Sequence, residues 1–154
     1  MMKNKAIIVD LDGTLIDSPS IMQYTNYFDN TIAWDSWIEA TRYSSANDWC
    51  MEICKKFYDD GYKLLFLTAR TNNSLNRDIT EQWLTNNLLQ NNIKDWELVM
   101  RDENDTRMDS EAKLSKYLSE IAPRYNVLFA IDDKKSNIDL WRHLGIAALH
   151  CADY

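Results

Sequence analysis

The chain has 154 residues, a formal charge of −7 from 24 acidic and 17 basic side chains, and an apolar fraction of 45% that includes six Trp. This suffices for one domain with a proper core, is too little for two ordinary ones, and excludes a disordered chain. The acid excess speaks against a protein that grips a long polynucleotide tract, because such affinity comes from a positive face that neutralises phosphates.

Taken in chain order, short apolar runs alternate with longer amphipathic ones. Residues 6–11 read as a buried, β-branched strand. Ala6 to Val9 is too short an apolar run for a signal sequence or a membrane span, so the cytoplasm is the expected location. Residues 17–45 carry Tyr24, Tyr27, Phe28, Trp34, Trp37 and Tyr43, and predict a small helical insertion covering the strand ends, the best candidate segment for substrate contact.

A helix is predicted over 47–60, with Trp49, Ile53 and Phe57 at helical spacing. Cys50 and Cys54 lie on one face of it and read as two half-buried residues. A zinc site would need a further Cys or His pair, and three Cys give no disulfide framework. Gly61 ends this helix and opens a second strand at 62–67. A helix over 77–89, a weaker strand at 97–100, a helix over 111–121, a strong strand at 127–131, a helix over 136–144 closed by Gly145, and a strand at 146–150 complete the pattern. Trp49, Trp83 and Trp141 read as core anchors. Alternating strands and helices predict an α/β fold, a five-stranded parallel sheet with helices on both faces.

In such sheets chemistry gathers beyond the carboxyl ends of the strands. The first strand ends in Asp10-Leu11-Asp12-Gly13-Thr14, the second in Thr68-Ala69-Arg70 and the fourth in Asp132-Asp133, while Lys113 begins the helix between the third and fourth. Converging carboxylates repel one another unless paired or bound to a cation, and a divalent metal is the natural compensation. Gly13 permits a sharp exit from the first strand.

In these residues the sequence resembles the haloacid dehalogenase (HAD) superfamily of phosphohydrolases, whose four motifs match Asp10-Leu11-Asp12-Gly13-Thr14-Leu15, Thr68, Lys113 and Asp132-Asp133. Arg101, the run from Asp105-Thr106-Arg107 to Lys113, Ile121-Ala122-Pro123, Ala130-Ile131-Asp132-Asp133 and Trp141-Arg142-His143-Leu144-Gly145 look like the 3′-phosphatase domain of phage polynucleotide kinase-phosphatases. The closer likeness covers residues 5–16 and about 61–150, and leaves 17–45 unaligned.

The resemblance implies a Rossmann-like HAD fold forming one domain over residues 1–154, with a small cap inserted after the first strand at about 17–45. It implies Mg²⁺ as cofactor and Asp10 as the nucleophile that becomes an aspartyl-phosphate. Asp12 is then the general acid and base, Thr68 a donor to the phosphate and Lys113 its neutralising cation. Asp132 is the first metal ligand and Asp133 the second, beside Asp10 and the backbone carbonyl of Asp12. A phage gene would place the enzyme in the host cytoplasm.

Arg70, Arg101 and Arg107, with Lys113, Lys134 and Lys135, predict a basic rim that concentrates a phosphorylated substrate at one mouth. A base can stack on Trp34 or Trp37. The implied substrate is a nucleic-acid or nucleotide 3′-phosphate; the alternative is a nucleotidase acting on free 5′-deoxynucleoside monophosphates. A receiver-like signalling module shares the residue types but not their order, since it carries its acidic pair first and its phosphorylated Asp mid-chain. No Gly-x-x-x-x-Gly-Lys-Ser/Thr occurs, so no kinase half is expected.

Overall fold

The computed structural model describes residues 2–152. Five strands, β1 (Asn4–Val9), β2 (Lys63–Thr71), β3 (Trp96–Arg101), β4 (Tyr125–Asp132) and β5 (Ala147–His150), pair in parallel in the order β3-β2-β1-β4-β5. The helices are α1 (Trp34–Ala40), α2 (Asp48–Asp59), α3 (Ser74–Leu89), α4 (Asp109–Lys116) and α5 (Lys135–His143). The chain runs outward from β1 through β2 to β3, then returns to lay β4 on the other side of β1. The crevice between the ends of β1 and β4 is therefore the topological switch point where such sheets bind ligands.

Strand residues alternate between two covered faces, as a parallel sheet requires. Ile7, Val9, Leu64 and Phe66 pack with Cys50 and Cys54 of α2 and with Trp83, Leu84 and Leu88 of α3. Ala6, Ile8, Leu65 and Leu67 pack with Ile121, Ile138 and Trp141 on the opposite face. Trp141 is fully buried and meets Tyr117 edge-on at 5.7 Å. Trp141→Ala is expected to cost about 3–5 kcal/mol of stability, read as a lower urea midpoint.

Several boundaries differ from the sequence pattern for physical reasons. β2 runs on to Thr71, which pairs with Arg101 across a register shift, so Thr68 and Arg70 sit inside the strand rather than beyond it. α3 begins at Ser74 because the Asn73 side chain accepts from the backbone N–H of Asn76. α4 ends at Lys116, and a single π-turn over Tyr117–Ile121 follows. Because α4 begins at Asp109, Lys113 lies in its last turn rather than at its start.

In α2 the buried face is Cys50, Met51 and Cys54, and Trp49 is turned out with 44% of its surface exposed. Trp49 is thus not a core anchor, and the two cysteines are fully rather than half buried. The insertion is less helical than its composition predicts. It holds α1, short 3₁₀ turns at Ile21–Tyr24 and Thr41–Tyr43, and an isolated bridge between Thr25 and Ile32. Its two ends close on each other, with Asp17 N–H donating to Ser45 O at 2.9 Å. Trp37 and Ile38 seat it on Ile79 of α3.

Candidate active site

Asp10 follows β1 directly, and its N–H still donates to Ile131 O of β4 at 3.0 Å. Its carboxylate is thereby fixed in the switch-point crevice, and the residue is only 7% exposed. Lys113 reaches across from α4 and donates to Asp10 Oδ1 at 2.8 Å and to Asp132 Oδ2 at 2.7 Å. Thr14 donates to Asp10 Oδ2 at 3.1 Å. Gly13, with φ of +78°, makes the turn that brings Thr14 back to Asp10.

Asp132 ends β4 and is braced from α5. The Lys134 N–H donates to Oδ1 at 3.0 Å, and Asn137 Nδ2 lies 3.2 Å from both oxygens. Carboxylate oxygens of Asp10, Asp132 and Asp133 all lie within 4.8 Å of one another. The donor set is all oxygen and of high charge, which fits a hard divalent cation such as Mg²⁺.

Electrostatics agree with that fit. Burial pushes the Asp10 carboxyl well above its ordinary range; Lys113 opposes this, while Asp132 and Asp133 add to it. Burial alone would depress Lys113, but Asp10 and Asp132 outweigh it and hold the ammonium above the usual lysine range. Lys113 is shared between Asp10 and Asp132, and a bound metal would add further positive charge among the three carboxylates.

Asp12 stands apart from the trio. Arg70 grips it with a fork, Nε to Oδ2 at 2.8 Å and a terminal nitrogen to Oδ1 at 2.6 Å, and Ser18 Oγ donates to Oδ1 at 2.6 Å. Thr68 is buried in β2, and its Oγ1 accepts from the Arg70 N–H at 3.1 Å.

The sequence pattern puts the arginines on an open rim, and the structure buries two of them. Arg70 spends its guanidinium on Asp12 and on Thr80 Oγ1 at 2.9 Å. Arg101 donates to Ala69 O, Asp105 O, Arg107 O and Asp109 Oδ1, and so pins the loop after β3 to β2 and to α4. Arg107 is exposed but holds both oxygens of Asp105, while Lys134 pairs with Asp109 and Lys135 with Asp139. Trp34 is 55% exposed and lies edge-on to Trp37 at 5.9 Å.

Thr14, Ser18, Thr80 and Asn137 escape the sequence reading. Thr14 lies within the Asp-x-Asp-Gly-Thr run, and Asn137 is a polar residue beside Ile138 on the buried side of α5. Those are the only sequence signals they offer.

Over residues 4–154 the chain matches the family model described as the polynucleotide kinase PNKP phosphatase domain. It is 26% identical over 154 residues to a protein of Autographa californica nuclear polyhedrosis virus assigned as a bifunctional polynucleotide kinase/RNA ligase, covering 97% of this chain and 20% of the viral one. It is similar to a chain in the structure of the Pnkp1/Rnl/Hen1 RNA repair complex, at 28% identity and a TM-score of 0.75, covering 97% of this chain and 43% of that one. A second structure of the Pnkp1/Rnl/Hen1 complex gives 28% identity, a TM-score of 0.76 and coverage of 99% and 48%. The chain therefore spans a fifth to about half the length of these relatives. A magnesium complex of a HAD family enzyme from Bacteroides thetaiotaomicron, 14% identical with a TM-score of 0.57 and coverage of 97% and 93%, shares the fold. The chain belongs to the polynucleotide kinase PNKP phosphatase-domain family, and is a HAD-type phosphatase.

Proposed function

We propose that this protein is a Mg²⁺-dependent phosphomonoesterase that acts through an aspartyl-phosphate on Asp10, with nucleic-acid or nucleotide 3′-phosphates as substrates. The observation that carries the reading is the Lys113 ammonium joining Asp10 to Asp132 beside Asp133 at the switch point. Residues 1–154 are read as one phosphatase domain, with 17–45 inserted between β1 and α2.

Asp10, Asp132, Asp133 and the main-chain carbonyl of Asp12 are the groups that would hold the cation. When bound, it supplies positive charge that lets a carboxylate meet a phosphate dianion. A carboxylate oxygen of Asp10 then attacks phosphorus while Asp12 gives a proton to the departing alkoxide. Water next attacks the phosphorus of the aspartyl-phosphate and yields its proton to Asp12, which returns Asp10 as carboxylate and releases inorganic phosphate. Lys113 neutralises Asp10 and the incoming phosphate throughout. Thr68 Oγ1 accepts from the Arg70 N–H, and its own proton would be available to a non-bridging phosphate oxygen.

Support for a polynucleotide end comes from the family and from the RNA-repair and kinase/ligase context of the relatives. The alternative, a nucleotidase acting on free monophosphates, is favoured by the charge of −7 and by the pairing of Arg70, Arg101, Arg107, Lys134 and Lys135 to groups of the protein itself.

Phosphate release from a 3′-phosphorylated oligonucleotide, a 5′-phosphorylated one and both classes of mononucleotide, with and without Mg²⁺, decides between them. The expected result is Mg²⁺-dependent release from the 3′ esters, abolished by EDTA. Hydrolysis of 5′-mononucleotides alone would overturn the polynucleotide-end assignment, and full activity in EDTA would overturn the metal dependence.

A further inference from the structure

The insertion makes two contacts that reach the chemistry, and neither is needed merely to cover the sheet. Ser18 donates to Asp12 Oδ1 at 2.6 Å, and the Trp37 ring lies 5.5 Å from the Arg70 guanidinium carbon that holds Asp12. Trp37 is itself fixed, with its Nε1 donating to Pro19 O at 3.0 Å and its ring in a small core with Ile38 and Ile79. Arg70 donates to Thr80 Oγ1 of α3, lies 5.5 Å from the Trp37 ring, and its side chain is 3% exposed. Asp12 keeps 24% of its side-chain surface open to solvent, so the held carboxylate remains reachable.

Counting donors on Asp12 distinguishes its two oxygens. Oδ1 receives Arg70 and Ser18, which fills both of its lone pairs, whereas Oδ2 receives Arg70 alone. Oδ2 is then the oxygen with a lone pair left free by these donors, and the Ser18 hydroxyl is what makes the two unequal.

We infer that Ser18 and Trp37, both supplied by the insertion, are positioning residues for Asp12: Ser18 fixes which carboxylate oxygen faces the leaving group, and Trp37 backs the arginine that orients it. The inference rests on Asp12 being the general acid. The insertion is thus part of the apparatus that holds Asp12, and its docking on α3 reaches that carboxylate through the Trp37–Arg70 contact.

The test compares an ester that needs a proton on its leaving group with one that does not. Measure kcat/KM with saturating Mg²⁺ on the nucleoside monophosphate that wild type turns over best, and on p-nitrophenyl phosphate, whose phenolate departs unprotonated. This parameter reports the phosphoryl-transfer step to Asp10 and is blind to the later hydrolysis. Ser18→Ala and Trp37→Leu are each expected to lose roughly tenfold on the nucleotide, the size of one lost charge-assisted hydrogen bond, and less than about threefold on the aryl ester. Ser18→Thr, which keeps the hydroxyl, is expected to restore the nucleotide rate. Turnover of the aryl ester doubles as proof that the Asp10 site is folded; if Trp37→Leu unfolds, Ser18→Ala and Ser18→Thr decide alone.

Equal losses on both esters, or no loss on either, overturn the positioning role. Asp12→Asn separates this from failure of the underlying reading: it must show the same split, and larger. If Asp12→Asn loses equally on both esters, Asp12 is not the acid and the proposed mechanism fails with it.

Discussion

Asp10→Asn is expected to lower kcat by at least about a thousandfold on every phosphate ester the protein accepts, because it removes the proposed nucleophile rather than a contact to it. The change is nearly isosteric, so the fold survives it. The amide oxygen can still accept from Lys113, and the amide nitrogen faces the Thr14 hydroxyl, which has lone pairs to receive it. Stability without divalent cation should change in a defined direction. Burial raises the Asp10 carboxyl above its ordinary value of 3.8, so the folded protein binds a proton there more tightly than the unfolded chain does. Asp10 accordingly drains stability as pH rises from near 4 through its folded pKa, and the Asn variant lacks that decline. Thermal unfolding of both proteins in EDTA across pH 4–8 measures it. Retention of most of the activity by Asp10→Asn would end the aspartyl-phosphate mechanism.

Lys113→Met is the second large effect, and it differs in kind. The substitution keeps the helical stem length but takes from Asp10 and Asp132 the buried ammonium they share. Removing one partner of a buried pair typically costs about 3–5 kcal/mol, and here two carboxylates lose the same ammonium. The variant should unfold at lower urea than wild type, and high Mg²⁺ should recover much of that stability by binding the trio. Activity should not recover with it, since the neutralisation of the attacking carboxylate during phosphoryl transfer is gone. A variant that regains both in Mg²⁺ would assign Lys113 a structural role only.

Much of the architecture is legible in the sequence because its signals are local. Apolar strand runs, the glycines at 61 and 145 and the order of polar residues at strand ends identify five parallel strands. Asp10, Asp132 and Asp133, expected together from their strand ends, do converge. What the sequence hides are partners far away along the chain. Arg70 reads as a surface cation because the carboxylate it holds is 58 positions distant, and Arg101 because three of its four acceptors are main-chain carbonyls that no sequence pattern advertises. Trp49 misleads for the opposite reason. Helical spacing links it to Ile53 and Phe57, but the sheet is met by the Cys50, Met51 and Cys54 face. The end of β2 is obscured because polar residues inside a central strand look like an exit from it.

The seating of β4 against β1 has a consequence for how the protein becomes active. Lys113 and Asp10 are 103 positions apart, and Asp132 lies farther still. No nascent chain shorter than β4 can assemble the carboxylate cluster, however well β1, β2 and α2 have formed. Closing so long a loop is slow relative to local helix formation. Regain of phosphatase activity during refolding should therefore lag the return of helical circular dichroism and report the β1–β4 zipper itself. A C-terminal truncation before residue 132 is accordingly expected to keep Asp10 but lose the carboxylate cluster, and with it the activity.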